Sequence, residues 1–138
     1  MTVISHSLER ISREFKIPAE VQLQLQIALD EIVSNIIKYA WPQGGMHDLL
    51  VRINVDNDHV EIHTFDDGRA FDPRHAPSRG LPAFGTRPRP GGLGVQIVKK
   101  LVDQFDYTRV NERNHTILTK RFDVDASQAG GADVQHRP

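Results

Sequence analysis

The sequence contains no cysteine among its 138 residues. This excludes a disulfide framework, a thiolate zinc site and a thiol nucleophile, and it is compatible with a reducing compartment. With 17 basic and 18 acidic residues the net charge is near zero, so charge favours neither a nucleic acid nor an anionic membrane as a partner. No apolar run approaches the roughly twenty residues of a membrane span, and the amino terminus lacks a signal-peptide pattern. These features predict a cytoplasmic protein that contacts neither membrane nor nucleic acid directly.

The length suits one domain with a proper core and leaves little room for a second. Apolar periodicity predicts helices at 5–15, 18–40 and 94–104. Alternation predicts one hairpin from 49–55 and 60–64 around the turn 56–58, and a second from 105–110 and 115–122 around 111–114. On the first hairpin, His59 and His63 are expected to be solvated strand residues because no third metal ligand lies at a recognisable spacing. Residues 124–138, rich in Ala, Gly, Ser and Gln, are expected to be a disordered tail.

The longest helical pattern carries two stripes of side chains. Glu31, Asn35 and Lys38 follow one another at i, i+4 and i+7, turned roughly a quarter to a third of the way round the helix from the apolar stripe. Such a row is also typical of solvated surface. The neutral Asn35, a poor helix former, favours a functional row instead. The apolar stripe, which predicts one wall of the core, comprises Leu25, Leu29, Ile32, Val33, Ile36 and Ala40.

Two glycine-containing segments complete a pattern. Asp66-Asp67-Gly68 follows a strand, which indicates a fixed carboxylate beside a backbone that a flat ligand can approach; such a carboxylate suits an exocyclic amine such as that of adenine. A plain Asp-Gly turn would have the same sequence. Farther on, Gly91, Gly92, Leu93 and Gly94 open a helix that continues from Val95, which is typical of an anion site, although neither a P-loop nor a dinucleotide fingerprint is present.

Between these segments lies the stretch 72–92, which no regular element fits. It contains four arginines and most of the eight prolines of the chain. A stretch of this length inside a compact domain is either disordered or a functional lid, and its place between two glycine motifs favours the lid.

The ordered combination of Glu31-x-x-x-Asn35, Asp66-x-Gly68, a lid and Gly92-x-Gly94 resembles the GHKL, or Bergerat-fold, ATP-binding superfamily. The resemblance extends to about Phe122. The form Asp-Asp-Gly-x-x-Phe-Asp-Pro of the first glycine box and Gly-Gly-Leu-Gly-Val of the second are most similar to bacterial anti-sigma factors with serine/threonine kinase activity. The resemblance implies an α/β two-layer sandwich, in which a mixed β-sheet is covered on one face by helices, and a single kinase domain at 1–123.

The resemblance also implies roles for individual residues. Asn35 would ligate Mg²⁺ and Glu31 would be the general base, while Lys38 would lie near the nucleotide. Asp66 would bind the adenine amine and Gly68 would let the ring approach. The remaining nucleotide contacts would come from Ala70, which stands where many relatives have glycine, from Gly91, Gly92, Leu93, Gly94 and Val95 around the phosphates, and from Thr116 on the late strand. Arg87 and Arg89 are either phosphate ligands or solvated loop residues.

The function that the resemblance implies is phosphorylation, by ATP and Mg²⁺, of a serine or threonine on a STAS-type anti-anti-sigma protein, with a sigma factor as a second partner. Related kinases commonly form homodimers, so a dimer is expected as well. Two other functions fit the motifs: a non-catalytic switch that binds ATP and a protein, and a regulatory ATPase. A complete sensor histidine kinase is excluded by length, although a detached fragment of one is not.

Overall fold

The computed structural model describes residues 2–75 and 94–123, with side chains from His6 onward. Most of the expected lid, 72–92, and the whole expected tail, 124–138, lie outside these residues. So do five of the residues singled out above: Arg87, Arg89, Gly91, Gly92 and Leu93.

Three α-helices and a short 3₁₀ turn lie in the described chain. Helix α1 spans Thr2–Glu14, α2 spans Ala19–Tyr39 and α3 spans Gly94–Leu101. Pro18 stands directly before α2, where its missing N–H costs no hydrogen bond. Helix α3 is shorter than predicted because the chain turns back at once into the sheet: the Asp103 N–H donates to the Thr119 carbonyl at 2.8 Å.

The four strands are β1 (Leu49–Val55), β2 (His59–Asp66), β3 (Gln104–Val110) and β4 (Arg113–Arg121). They lie in the order β1-β2-β4-β3, and every pair of neighbours is antiparallel. The two-layer sandwich is therefore confirmed, while the expectation of a mixed sheet is wrong for the described strands. The reason is that all four strands belong to hairpins, whose two strands are antiparallel by construction. The two hairpins are joined through β2 and β4, and this pair is antiparallel as well.

The second hairpin is tighter than the sequence indicated. Val110 pairs with Arg113, so that only Asn111 and Glu112 form the turn, both with positive φ (54° and 61°). Positive φ at both central residues is the signature of a two-residue type I′ connection. The expected four-residue turn 111–114 is corrected accordingly, and its last two residues belong to β4.

The core lies between the helices and one face of the sheet. All six residues of the predicted apolar stripe on α2 are at most 2% exposed. They cluster with inward-facing residues of the central strands, of which Val60, Ile62 and Leu118 are fully buried. Alternation along β2 buries every second residue, including Thr64 and Asp66. The helices thus cover one face of the sheet and bring the polar end of β2 under α2.

The opposite face of the sheet carries a stacked row of rings. The Phe65 ring lies 4.2 Å from the ring of His115, whose centroid is 5.0 Å from that of His63, and Arg52 lies over Phe65. His63 contacts Glu61 at 3.0 Å, and its side chain is only 13% exposed. The expectation that His63 is merely solvated is therefore wrong, because its strand neighbours shield it.

Candidate nucleotide-binding site

Helix α2 places two polar side chains in the interior. Glu31 and Asn35 lie one turn apart and are only 6% and 3% exposed, whereas Lys38, in the last turn, is exposed. Burying a carboxylate and an amide is costly unless they meet polar groups. The predicted row therefore divides into two buried groups and one solvated cation at the end of the helix.

The carboxylate of Asp66 is held from one side. Its Oδ1 accepts hydrogen bonds from the Gly68 N–H and from Asn114 Nδ2, both at 2.9 Å, and the side chain is 3% exposed. Within the described parts of the chain, Oδ2 makes no hydrogen bond. Asp66 therefore has one anchored oxygen and one oxygen available to a ligand.

Asn114, which the sequence analysis missed, lies directly opposite Asp66 in the β2–β4 register and is 1% exposed. Its amide nitrogen also donates to the Arg69 carbonyl at 2.7 Å, and its oxygen accepts from Tyr107 Oη and from an Arg109 NH group at 2.9 Å. The sequence feature that could have identified Asn114 is the turn Asn111-Glu112. A two-residue turn at this place puts Asn114 on the inward face of β4.

Gly68 fits closely against the end of α2. A Cβ on this residue would lie 2.5 Å from the Cβ of Ala40 and 2.6 Å from its carbonyl oxygen. Two hydrogen bonds fasten the same junction, from the Arg69 N–H to the Ala40 carbonyl and from Arg69 Nε to the Tyr39 carbonyl. The close approach that Gly68 permits in the structure is thus that of the helix. Its contact with an adenine ring remains a prediction.

A second contact ties the residues after α2 to the same loop. Trp41 Nε1 donates to Asp67 Oδ1 at 3.0 Å, and the His47 ring stacks on Trp41 with its centroid 4.7 Å away. Because Asp67 adjoins Asp66, this contact braces the segment that holds the Asp66 carboxylate. Trp41 is also the chain's single tryptophan, and it therefore reports on this loop alone.

Buried polar atoms without a hydrogen-bond partner among the described residues include Ser12 Oγ on α1 and three atoms on the elements of the site: Asn35 Nδ2, Thr64 Oγ1 and Thr116 Oγ1. Thr64 and Thr116 face each other across β2 and β4, one step inward from Asp66 and Asn114. An unmet buried donor or hydroxyl costs about 1–3 kcal/mol. Groups of this kind, beside an anchored carboxylate, suit a polar ligand such as a nucleotide.

The remaining predicted contacts are placed as follows. Gly94 begins α3 with a positive φ of 71°, followed by the buried Val95, and α3 packs against α2. Ala70 is exposed.

Asp72 is the first residue of the expected lid. Burial alone would raise the pKa of its carboxyl group, but hydrogen bonds from the side chain and the N–H of Arg74 outweigh burial and lower that pKa.

The donor set suits magnesium better than a transition metal. Within residues 2–75 and 94–123, no three His, Asp or Glu side chains form a group able to hold a metal ion. Mg²⁺ needs no such group, because it is usually bound by one or two protein oxygens, water and substrate phosphates. The oxygen of Asn35 is a hard ligand of that kind, beside the buried Glu31.

Residues 1–120 match the family described as the histidine kinase-like ATPase domain. The chain belongs to this family. The match covers all the elements that build the site, and it confirms the resemblance to the ATP-binding superfamily that the ordered motifs indicated.

Two relatives of this chain are named as protein kinases. The serine/threonine-protein kinase BtrW of Bordetella bronchiseptica is 28% identical over 112 residues, covering 81% of this chain and 79% of that protein. The serine-protein kinase RsbW of Oceanobacillus iheyensis is 25% identical over 83 residues, covering 57% of this chain and 52% of that protein. Both names agree with the subgroup that the two glycine boxes suggested.

Among solved structures, the blue-light activated histidine kinase of Erythrobacter litoralis EL346 has the same fold, with a TM-score of 0.53 at 19% identity. The alignment covers 82% of this chain and 33% of that one, so the chain spans about a third of the length of that kinase. In the described part of the chain, no helix is both long and apolar enough to span a membrane.

Proposed function

We propose that the protein is a serine/threonine kinase that binds ATP with Mg²⁺ between α2, the Asp66 loop and the start of α3. Its substrate is a hydroxyl of a small STAS-type anti-anti-sigma protein, its second partner is a sigma factor, and it works in the cytoplasm as a homodimer. The observation that carries the proposal is the buried pair Glu31 and Asn35, one turn apart on the helix that packs against the Asp66 loop. The two relatives named as serine or serine/threonine kinases support the choice of acceptor.

Each residue has a chemical task in this proposal. Asp66 accepts a hydrogen bond from the adenine amine, and Gly68, Ala70 and Thr116 line the base. Glu31 accepts the proton of the attacking hydroxyl while that oxygen bonds to the γ-phosphorus and the bond from the γ-phosphorus to the β–γ bridging oxygen breaks, releasing ADP. Asn35 would hold Mg²⁺, which would neutralise phosphate charge when bound, and Lys38 would add a positive charge nearby. The stretch from Gly91 through Val95 supplies backbone N–H groups to the phosphates.

The test is transfer of label from γ-labelled ATP to candidate STAS-domain proteins in the presence of Mg²⁺. Glu31→Gln keeps the shape and removes the base, so we expect transfer to slow by about 10²–10⁴-fold, with ATP affinity changed only a few-fold. The matched control is Glu20→Gln, the same change at an exposed position on α2; it should transfer label at the wild-type rate.

Four outcomes would contradict parts of the proposal. Glu31→Gln transferring at the wild-type rate would remove Glu31 as the base. ATP binding without transfer to any candidate would favour a non-catalytic switch, and phosphate release without an acceptor would favour a regulatory ATPase. Absence of ATP binding would overturn the assignment of the site.

A further inference from the structure

We propose that Asn114 is a positioning residue that fixes the Asp66 carboxylate so that only Oδ2 meets the ligand, which makes the pocket select a nucleobase with an exocyclic amine. The inference rests on the proposed function, because it concerns how that site reads its nucleotide. It goes further by assigning base recognition to a side chain that does not itself touch the base.

The hydrogen-bonding capacity of Asn114 is fully used. Its nitrogen has two N–H groups, and they go to Asp66 Oδ1 at 2.9 Å and the Arg69 carbonyl at 2.7 Å. Its oxygen accepts from Tyr107 Oη and Arg109, and more weakly from the Phe71 N–H at 3.3 Å. The opposite amide orientation would place an oxygen between two acceptors and an amino group among three donors. The network therefore admits one orientation, and no capacity is left for a ligand.

The consequence falls on Asp66. With Oδ1 occupied by Asn114 and the Gly68 N–H, the carboxylate cannot rotate without breaking two buried hydrogen bonds. Hydrogen bonds to charged groups contribute more than neutral ones, and their loss in a buried site costs more. Oδ2 is thus held as a fixed acceptor, which matches an amine N–H and rejects a carbonyl oxygen at the same place on the base.

Strand β3 keeps Asn114 itself in place. Arg109 donates from one NH group both to the Asn114 oxygen at 2.9 Å and to the Gly68 carbonyl at 3.0 Å, so it links the amide to the glycine loop. Tyr107 approaches the same oxygen from the next inward position of the strand. Strands β2, β3 and β4 thus all contribute to one hydrogen-bond network, which ends at the Asp66 carboxylate.

The experiment uses the full chain, calorimetric titration with MgCl₂, and two probes: ATP and purine riboside triphosphate, which lacks the exocyclic amine. In Asn114→Ala the carboxylate keeps the hydrogen bond from the Gly68 N–H but loses the one from Asn114, so we expect ATP affinity to fall about tenfold, as for loss of one charged hydrogen bond. Affinity for the analogue should change less than about twofold, so the preference for ATP disappears.

A second variant guards against simple misfolding. Asn114→Asp keeps the shape but places an acceptor against Asp66 Oδ1 and the Arg69 carbonyl, with Arg109 and Tyr107 facing its other oxygen. Two adjacent carboxylates share a proton, and that proton restores the donor to Asp66 Oδ1, one of the two that Asn114 supplies. Relative to wild type at each pH, ATP affinity of this variant should be near normal at low pH and fall as pH rises. The control is Asn54→Asp, the same change on the exposed side of β1, which should track wild type throughout.

The outcomes separate the inference from the function beneath it. Loss of base preference in Asn114→Ala, or the pH-dependent affinity in Asn114→Asp should the alanine variant not fold, supports the positioning role. Wild-type affinity and preference in either folded variant, across the pH range, would overturn it while leaving the kinase proposal intact. If wild type fails to bind ATP, the proposed function fails first and this inference falls with it.

Discussion

At the scale of single residues, the absence of a side chain at Gly68 allows the end of helix α2 to pack closely against the loop after β2. Gly68 is buried against Ala40, and an added methyl group would overlap both the side chain and the carbonyl of that residue. Because Arg69 is hydrogen bonded to the same helix end, the loop cannot move away without breaking those bonds.

Gly68→Ala should therefore destabilise the fold by about 1–3 kcal/mol, as overpacking does, and weaken ATP binding because Asp66 shifts with its loop. Urea unfolding of four proteins, wild type, Gly68→Ala, Ala40→Gly and the double variant, measures the coupling. We expect the double variant to recover part of the loss, since removing the Ala40 methyl relieves one of the two overlaps. Strictly additive effects would show that the two residues do not compete for space.

At the scale of elements, the outer face of the sheet ties the two hairpins together through His63 and His115. Their nearest ring nitrogens are 2.8 Å apart, and Glu61 contacts the far nitrogen of His63. Burial lowers the pKa of His115, and the nearby His63 and Arg52 lower it further. The folded protein thus favours the neutral ring of His115.

This lowered pKa has a definite sign in stability. The unfolded chain binds a proton at His115 more readily than the folded chain, so the contribution is present above the ordinary histidine pKa of about 6.5 and is lost as pH falls towards the folded value. We expect proton NMR titration to give His115 a pKa below the ordinary histidine value of about 6.5. In urea unfolding from pH 7.5 to 5.5, His115→Gln should reduce the loss of stability and His6→Gln should not; equal slopes would refute the effect.

The elements show what the sequence could and could not predict. The α2 stripe was predictable because a 3.6-residue period over twenty residues leaves few alternatives. The burial of Glu31 and Asn35 did not follow from it, since the row that they form with Lys38 is equally typical of solvated surface. Asn114 was not predictable without its register. That register depends on Asn111 and Glu112 both taking positive φ, which is unusual for Glu, so a longer turn was the natural expectation. The antiparallel sheet depended on a contact between hairpins that no local pattern specifies.

At the scale of the whole molecule, the candidate site draws on four elements of the described fold. Glu31 and Asn35 come from α2, Asp66 from the end of β2, Gly94 from the start of α3 and Asn114 from β4. Because α2 packs against α3 and β2 pairs with β4, none of these groups can open independently of the core. A ligand bound there should stabilise the domain as one unit.

MgATP at 100 times its dissociation constant should stabilise the folded state by about 2.7 kcal/mol, which corresponds to a rise in Tm of roughly ten degrees for a domain of this size. The emission of Trp41 and the far-ultraviolet circular dichroism should change at the same temperature. Asp66→Asn, which removes the fixed acceptor charge, should lose most of the shift. Two separate transitions would show that the Asp66 loop opens apart from the core.

The pairing of β2 with β4 has one more consequence. Eight residue pairs join strands that lie far apart along the chain, and they are the seam between two pieces of it, one ending with β2 and the other beginning with α3. Each piece holds only some of the residues of the proposed site, with Glu31, Asn35 and Asp66 in the first and Gly94 and Asn114 in the second. If the chain were cut between these pieces, we would expect neither fragment to bind ATP alone. ATP binding would then measure how far the two fragments associate again through β2 and β4.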